Sequence, residues 1–97
     1  GGLVGFTRAL ATELGPFGVT VNSIAPGLTR TPGAFARGPN PGIATMEDEF
    51  QRAAATQAIK RGEVPADLVG AMSFLTSDDA AFITGQMLNV DGGRNRS

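Results

Sequence analysis

Apolar residues recur every three or four positions near the start of the chain, which is the spacing of one helix face. This pattern predicts a helix over residues 3–14 that stops at Gly15-Pro16, because glycine accepts the left-handed cap conformation and proline cannot continue a helix. The residues on the apolar face are Leu3, Phe6, Leu10 and Leu14.

The apolar pattern then changes its period. Residues 19–25 carry apolar side chains on both faces, which favours a strand inside a parallel sheet. Pro26-Gly27 ends this strand. Residues 27–44 are rich in glycine and proline, so they are predicted to form a long loop, either a functional lid or a disordered segment.

A second helix is predicted to start after Thr45, which can cap it. Glu47, Asp48 and Glu49 fall in its first turn, where the helix dipole favours anions. Consecutive carboxylates point in different directions on a helix, so this cluster is predicted to be structural rather than a catalytic pair.

The last third of the chain predicts one more helix and one more strand. Pro65 is well placed to open the helix, with Asp67 in its first turn, and residues 86–90 form a short strand closed by Asp91-Gly92-Gly93. Strands separated by helices indicate a parallel α/β arrangement. Without a linker or a repeat, residues 1–97 are predicted to belong to a single domain. The apolar face of this helix comprises Leu68, Val69, Met72 and Leu75.

Composition excludes several classes of site and partner but does not identify a function. A formal net charge of −1 gives no reason to expect nucleic acid or an anionic membrane as partner. The sequence has no cysteine and no histidine, which excludes disulfides, Ser-His-Asp triads and thiolate or imidazole metal sites within it, and we expect no metal. No apolar run approaches the length needed to cross a bilayer, so we expect a soluble, cytoplasmic protein.

The best binding candidate is the loop that follows the first strand. In open parallel sheets, ligands bind beyond the carboxyl ends of the strands. Pro26 and Gly27 lie at that end, glycine lets the backbone approach a ligand closely, and Thr29 and Thr31 supply hydroxyl groups. The same residues are also consistent with a plain turn that ends a strand.

Several motifs of the chain resemble the short-chain dehydrogenase/reductase family. They occur in the family's order and near its spacing, and residues 1–13 look like the body of its catalytic helix. The motifs are Val21-Asn22-Ser23-Ile24-Ala25-Pro26-Gly27 with Thr31-Pro32, Phe74-Leu75-Thr76-Ser77-Asp78, Ile83-Thr84-Gly85-Gln86 and Val90-Asp91-Gly92-Gly93.

The resemblance implies the carboxy-terminal part of a Rossmann-type, doubly wound parallel sheet that binds NAD or NADP. It also implies hydride transfer to or from a small carbonyl or alcohol substrate, as in 3-oxoacyl or polyol and sugar reductases. The family contacts the nicotinamide carboxamide through backbone at the position of Thr29 and through the side chain of Thr31. Valine or isoleucine is more usual at Thr29, whose hydroxyl could add or misplace a hydrogen bond.

The family's catalytic groups are absent from these residues. There is no glycine-rich phosphate-binding turn, no catalytic serine and no Tyr-x-x-x-Lys pair; the sequence contains no tyrosine at all. By resemblance the lysine would sit just before Gly1, so the amino-terminal half of the domain is expected to be missing. We therefore expect the chain alone to be inactive and to bind NAD(P) weakly.

Residues 33–60 correspond to the family's variable substrate-covering region. The apolar residues there either line a pocket wall or pack the lid onto the sheet, and both interpretations stay open. By contrast, Asn22 is predicted to be structural and Lys60 to be a solvated surface residue. The apolar candidates are Phe35, Ile43, Met46 and Phe50.

The resemblance also implies a homo-oligomer, a tetramer or a dimer. The rival hypothesis is a non-catalytic binding or assembly module that docks onto full-length subunits through exposed sheet edges and helix faces.

Overall fold

The computed structural model describes residues 2–95; Gly1, Arg96 and Ser97 lie outside the described residues. Short 3-10 turns occur at Gly15–Phe17 and Asp78–Ala80. The chain therefore leaves the first helix at Gly15 as predicted, but the left-handed cap conformation lies at Gly18, with φ 75°, and not at Gly15. The helices and strands are α1 (Gly2–Leu14), β1 (Ser23–Pro26), α2 (Pro32–Arg37), α3 (Met46–Thr56), α4 (Ala66–Leu75) and β2 (Met87–Val90). The helices predicted near residues 3, 45 and 65 are thus present, and Asp67 lies in the first turn of α4 as predicted.

The two strands pair in parallel. The N–H of Ser23 donates to the carbonyl of Gln86 at 2.9 Å, and the N–H of Gly27 donates to the carbonyl of Val90 at 3.2 Å. Both partners advance along the chain in the same direction, which is the parallel pattern. The predicted parallel α/β arrangement is confirmed.

The first strand starts later than predicted, at Ser23 instead of residue 19. The backbone before it is held by the turn at residues 83–86 instead of by a ladder. The N–H of Val21 donates to the side-chain hydroxyl of Thr84 at 2.9 Å, and the carbonyl of Val21 accepts from the N–H of Gly85 at 2.8 Å. Hydrogen bonds to this turn, one of them to a side chain, therefore take the place of strand pairing in this apolar segment.

Two compact units divide the chain. The first runs up to Ala25 and includes Val69–Asn89; the second is Pro26–Leu68 with the residues from Val90 onward. The predicted assignment of the whole chain to a single domain stays a prediction. Every residue proposed above for contact with cofactor or substrate belongs to the second unit.

In the first unit, α1 contacts the start of β1 through polar side chains. The hydroxyls of Thr7 and Ser23 lie 2.5 Å apart, and Thr7 and Ala11 are buried. On the predicted apolar face of α1, Leu3 and Phe6 are 56% and 64% exposed, whereas Leu10 and Leu14 are half-buried. Val69 and Met72 on α4 are likewise more than half exposed, at 60% and 56%.

Residues 27–44 are not one structureless loop, and that prediction was wrong in part. Thr31 caps the short helix α2 by accepting from the N–H of Ala34 at 3.1 Å, and Pro32 occupies its first turn. The capping threonine and the proline outweigh the glycine-rich composition. Thr45 caps α3 as predicted, accepting from the N–H of Asp48 at 3.1 Å. None of the helices within residues 2–95 has the length and apolar character of a membrane span.

Candidate functional site

The strand-end loop, residues 26–31, leaves the carboxyl end of β1. Besides its bond to β2, the N–H of Gly27 donates to Oε1 of Glu63 at 3.0 Å. A Cβ at Gly27 would lie 2.8 Å from that oxygen and 3.1 Å from Cβ of Asp91. Glycine is needed here because neighbouring chain comes so close, and not because of a positive φ.

Glu63 also holds the middle of the strand-end loop. Its carbonyl accepts from the N–H of Arg30 at 2.8 Å, and it forms an isolated parallel bridge with Thr29. The residue is 5% exposed. Sequence reasoning missed it, since no local pattern pairs residues that are 36 positions apart.

The environment of the Glu63 carboxyl is unusual for an acid. Burial raises its pKa, the N–H of Gly27 acts against that rise, and the nearby carboxylates of Asp67 and Asp91 add to it. Its second oxygen, Oε2, is buried and has no hydrogen-bond partner among the described residues. The hydrogen bond from Gly27 therefore holds the Glu63 carboxyl in a buried environment that disfavours its ionised form.

The acid next to it in space, Asp91, is satisfied. It is 4% exposed and accepts from the N–H groups of Gly93 at 3.0 Å and Asn95 at 3.2 Å, and from the Asn95 side chain. Burial alone would raise the pKa of Asp91, but these hydrogen bonds outweigh burial and lower it. The Asp91-Gly92-Gly93 segment is thus a turn, as predicted.

The two threonines of the loop differ in what their hydroxyls do. Thr29 donates to the carbonyl of Gly27 at 3.0 Å, so its hydroxyl is used inside the loop instead of projecting as an extra ligand group. Thr31 accepts the capping bond from Ala34. A hydroxyl that accepts one hydrogen bond still has its own proton to donate. Pro26, the last residue of β1, is exposed.

Arg30 ties the loop to the lid segment, which we define as residues 32–56. Its two terminal nitrogens donate to the two carboxylate oxygens of Glu47, each at 2.8 Å. Its guanidinium lies 4.8 Å from the ring centre of Phe50 and 5.8 Å from that of Phe35. The hydrogen bond from Arg30 holds the pKa of Glu47 below its usual range.

The four apolar candidates of the lid segment occupy different environments. Met46 and Phe50 are 7% and 2% exposed and lie in the interior of the second unit. Phe35 is half exposed and meets Phe50 edge to face, with ring centres 5.4 Å apart. Ile43 is half-buried and lines a cavity. Only Phe35 and Ile43 therefore keep surface that faces away from the packed interior.

The acidic cluster at the start of α3 diverges, as predicted. Glu47 reaches Arg30, whereas Glu49 is 5% exposed and accepts from the N–H of Asn40 at 2.8 Å and from Arg37. The N–H of Asn40, and after it Arg37, lowers the pKa of Glu49 against the effect of burial. These carboxylates fasten the lid segment and do not converge on one point.

The side chains of Asn22 and Lys60 both form hydrogen bonds with the backbone. Asn22 is structural as predicted, donating to the carbonyl of Ile83 at 3.0 Å and accepting from the N–H of Gln86 at 3.1 Å. Lys60 is more than a solvated surface residue, because its ammonium donates to the carbonyls of Ala55 and Gln57 at the carboxyl end of α3.

Comparisons with known proteins agree on one family. The family model described as Enoyl-(Acyl carrier protein) reductase matches residues 1–95. A putative ketoacyl reductase of the monensin polyketide synthase from Streptomyces virginiae is 41% identical over 97 residues, covering 95% of this chain and 36% of the relative. The 3-oxoacyl-(acyl-carrier-protein) reductase of Rickettsia felis is 37% identical, covering 95% of this chain and 35% of its own length.

A solved structure gives the same result. It is described as 4-hydroxyisoleucine dehydrogenase complexed with NADH and succinate, with 30% identity, a TM-score of 0.77, and coverage of 98% of this chain and 35% of that one. The chain thus spans about a third of the length of the relatives it matches. It belongs to the short-chain dehydrogenase/reductase family, and its parallel α/β structure corresponds to the carboxy-terminal region of that family's Rossmann fold.

Proposed function

We propose that this chain supplies the nicotinamide end of the cofactor site and the substrate lid of an NAD(P)-dependent oxidoreductase. The reaction transfers hydride between the cofactor and a small carbonyl or alcohol substrate. The observation that carries the proposal is the strand-end loop, fixed at the carboxyl edge of a parallel sheet by Glu63 and β2. The related dehydrogenase described with NADH supports the choice of cofactor.

The residues of the loop fit a carboxamide. The close packing around Gly27 leaves no room for a side chain there and fixes the path of the backbone that follows. Thr29 offers its backbone groups, since its hydroxyl is already bonded within the loop, and Thr31 has a hydroxyl proton to donate. The nicotinamide ring supplies or accepts the hydride when bound, and these residues set its orientation.

We assign no acid–base role to these residues. Proton transfer needs a group with a suitable pKa within hydrogen-bond reach of the substrate. The chain has no tyrosine, its single lysine, Lys60, is occupied at the end of α3, and Glu63, the acid with the raised pKa, is 5% exposed and bonded to Gly27. We infer that hydride transfer requires the Tyr-x-x-x-Lys pair in addition to these residues. The chain alone is then inactive and binds NAD(P) weakly. Oligomerisation of the whole protein, as tetramer or dimer, and its cytoplasmic location stay predictions.

The test uses the product of the complete reading frame that contains this chain, titrated with NADH and with NADPH by calorimetry. Thr31→Val removes both the cap and the donated proton, whereas Thr31→Ser keeps both. We expect the valine variant to bind about tenfold more weakly and the serine variant to change little. Thr45→Val, which removes the equivalent cap of α3, serves as the matched control and should leave cofactor affinity unchanged. Absence of binding by the unmutated protein would overturn the proposal.

The second candidate function is docking without catalysis. Exposed apolar side chains on α1 and α4, including Phe6, Val69 and Met72, favour it because such surface is usually covered by another chain or domain. The sequence of the complete reading frame separates the two candidates. A frame encoding Tyr-x-x-x-Lys directly before Gly1 supports hydride transfer, and a frame without that pair supports docking.

A further inference from the structure

A cavity of about 250 Å³ in the second unit connects the strand-end loop with the lid segment. Leu28 of the loop and Ile43 of the lid segment contribute its apolar surface. One face of α3 forms another side, because residues three and four positions apart share a face. The residues from that face are Glu49, Arg52, Ala53 and Thr56.

Three arginines from separate parts of the chain line this cavity. Arg37 ends α2, Arg52 lies on α3, and Arg94 follows the turn after β2. One acid, Glu49, faces them and is already bonded to Arg37. The cavity is therefore positive in a protein whose formal net charge is −1.

Two of these guanidinium groups, both on exposed residues, have no partner among the residues that the structure describes. Within residues 2–95, the side chains of Arg52 and Arg94 make no hydrogen bond and no ion pair. Positive groups that face one concavity repel each other, and a cleft lined by one sign of charge concentrates ions of the opposite sign. By contrast, Arg30, Arg37 and Arg61 each pair with a carboxylate.

We propose that this cavity binds an anionic group of the substrate, a carboxylate or a phosphate, through Arg52 and Arg94. The inference rests on the proposed function and deepens it, because it assigns a chemical class to the substrate. The planar guanidinium matches the geometry of both anions with two parallel hydrogen bonds. Leu28 and Ile43 contact the carbon chain between the anionic group and the reacting carbon. Arg37 stays with Glu49 and shapes the wall.

The experiment measures binding of two probes, sodium succinate and inorganic phosphate, to the product of the complete reading frame by calorimetry. The variants are Arg52→Gln, Arg94→Gln and the double variant. Each single change should raise the dissociation constant of the bound probe about tenfold, and the double change should abolish measurable binding. Succinate binding alone identifies a carboxylate site, and phosphate binding alone identifies a phosphate site.

The matched control is Arg8→Gln, which removes the same charge from an arginine outside this cavity, on α1. Anion affinity should be unchanged in it. NADH affinity, measured in parallel on every variant, reports the cofactor site and the integrity of the fold, and Arg52→Lys provides a charge-conserving variant.

Three results would overturn the proposal: no anion binding by the unmutated protein, anion binding that survives the double change, or loss of NADH affinity equal to the loss of anion affinity. The last would assign the arginines to the cofactor's phosphates. If NADH itself does not bind, the proposed function fails; if NADH binds and the anions do not, only the anion site fails.

Discussion

The side chain of Glu63 accepts a hydrogen bond from the backbone N–H of Gly27 at 3.0 Å, across 36 positions of sequence. Together with the bonds to Thr29 and Arg30, this contact makes one buried acid the main support of the strand-end loop.

Gly27→Ala should destabilise the protein by about 1–3 kcal/mol and weaken NADH binding, because the new Cβ would crowd both Glu63 and Asp91. Gly5→Ala is the matched control, since nothing lies within 4 Å of a Cβ at that helical position. Alanine there should be neutral or stabilise by about 0.5–1 kcal/mol. Urea unfolding and NADH titration measure both effects. Equal changes in unfolding free energy and NADH affinity in the two variants would contradict the packing argument.

Glu63→Gln should change how stability depends on pH. Burial and the carboxylates of Asp67 and Asp91 raise the folded pKa of Glu63, opposed by Gly27 and Arg61. An acid with a raised folded pKa contributes stability at low pH, and that stability is lost as pH rises from its unfolded pKa through its folded one. The glutamine variant has no such loss but keeps an acceptor for the N–H of Gly27.

The free energy of unfolding, measured from pH 4.5 to 8, should therefore shift progressively in favour of the glutamine variant as pH rises. Glu49→Gln is the control, because the pKa of that buried acid is lowered instead of raised. Its difference from the unmutated protein should stay nearly constant over this window, because the stability from an acid with a lowered pKa is lost only as pH falls below the unfolded carboxyl pKa.

Arg61 and Asp67 form a bidentate ion pair at 2.8 and 2.7 Å, and Asp67 also accepts from the N–H of Val64. The hydrogen bonds from Arg61, and after them that from Val64, lower the pKa of Asp67 to about 2. Its contribution is fully present above the unfolded pKa of about 3.9 and is lost as pH falls toward 2. Asp67→Asn should be less stable than the unmutated protein at pH 6, and the two should converge near pH 2. If the stability difference persists at pH 2, the charge of Asp67 is not its cause.

Arg30→Met should loosen the lid segment, because it removes the ion pair to Glu47 and the contact of the guanidinium with the Phe50 and Phe35 rings. Glu47→Gln removes the ion pair and leaves the ring contacts. Hydrogen exchange of peptides from residues 32–45 should rise in both variants and more in Arg30→Met. If Glu47→Gln has the larger effect, the aromatic contacts do not stabilise the lid segment.

The sequence predicted features that depend on near neighbours. The cap at Thr45, the stop at Gly15-Pro16 and the acidic first turn of α3 each follow from residues within four positions of one another. The family resemblance rests on such local motifs too, and the match over residues 1–95 confirms it.

What the sequence could not predict depends on distant partners. The start of β1 is set by Thr84 and Gly85, more than 60 positions away, and the support of the strand-end loop by Glu63. The short helix α2 was missed because a capping threonine and one proline decided it within a glycine-rich stretch. Whether an apolar residue such as Phe50 is buried likewise depends on what folds against it.

The side-chain amide of Asn22 is both donor and acceptor: it donates to the carbonyl of Ile83 and accepts from the N–H of Gln86. Aspartate lacks the donor, leucine lacks both functions, and glutamine is longer by one methylene, so natural variation at this position should be very narrow. A survey that ranks positions by sequence invariance would then group Asn22 with the catalytic residues, although purifying selection at Asn22 acts on the shape of a turn.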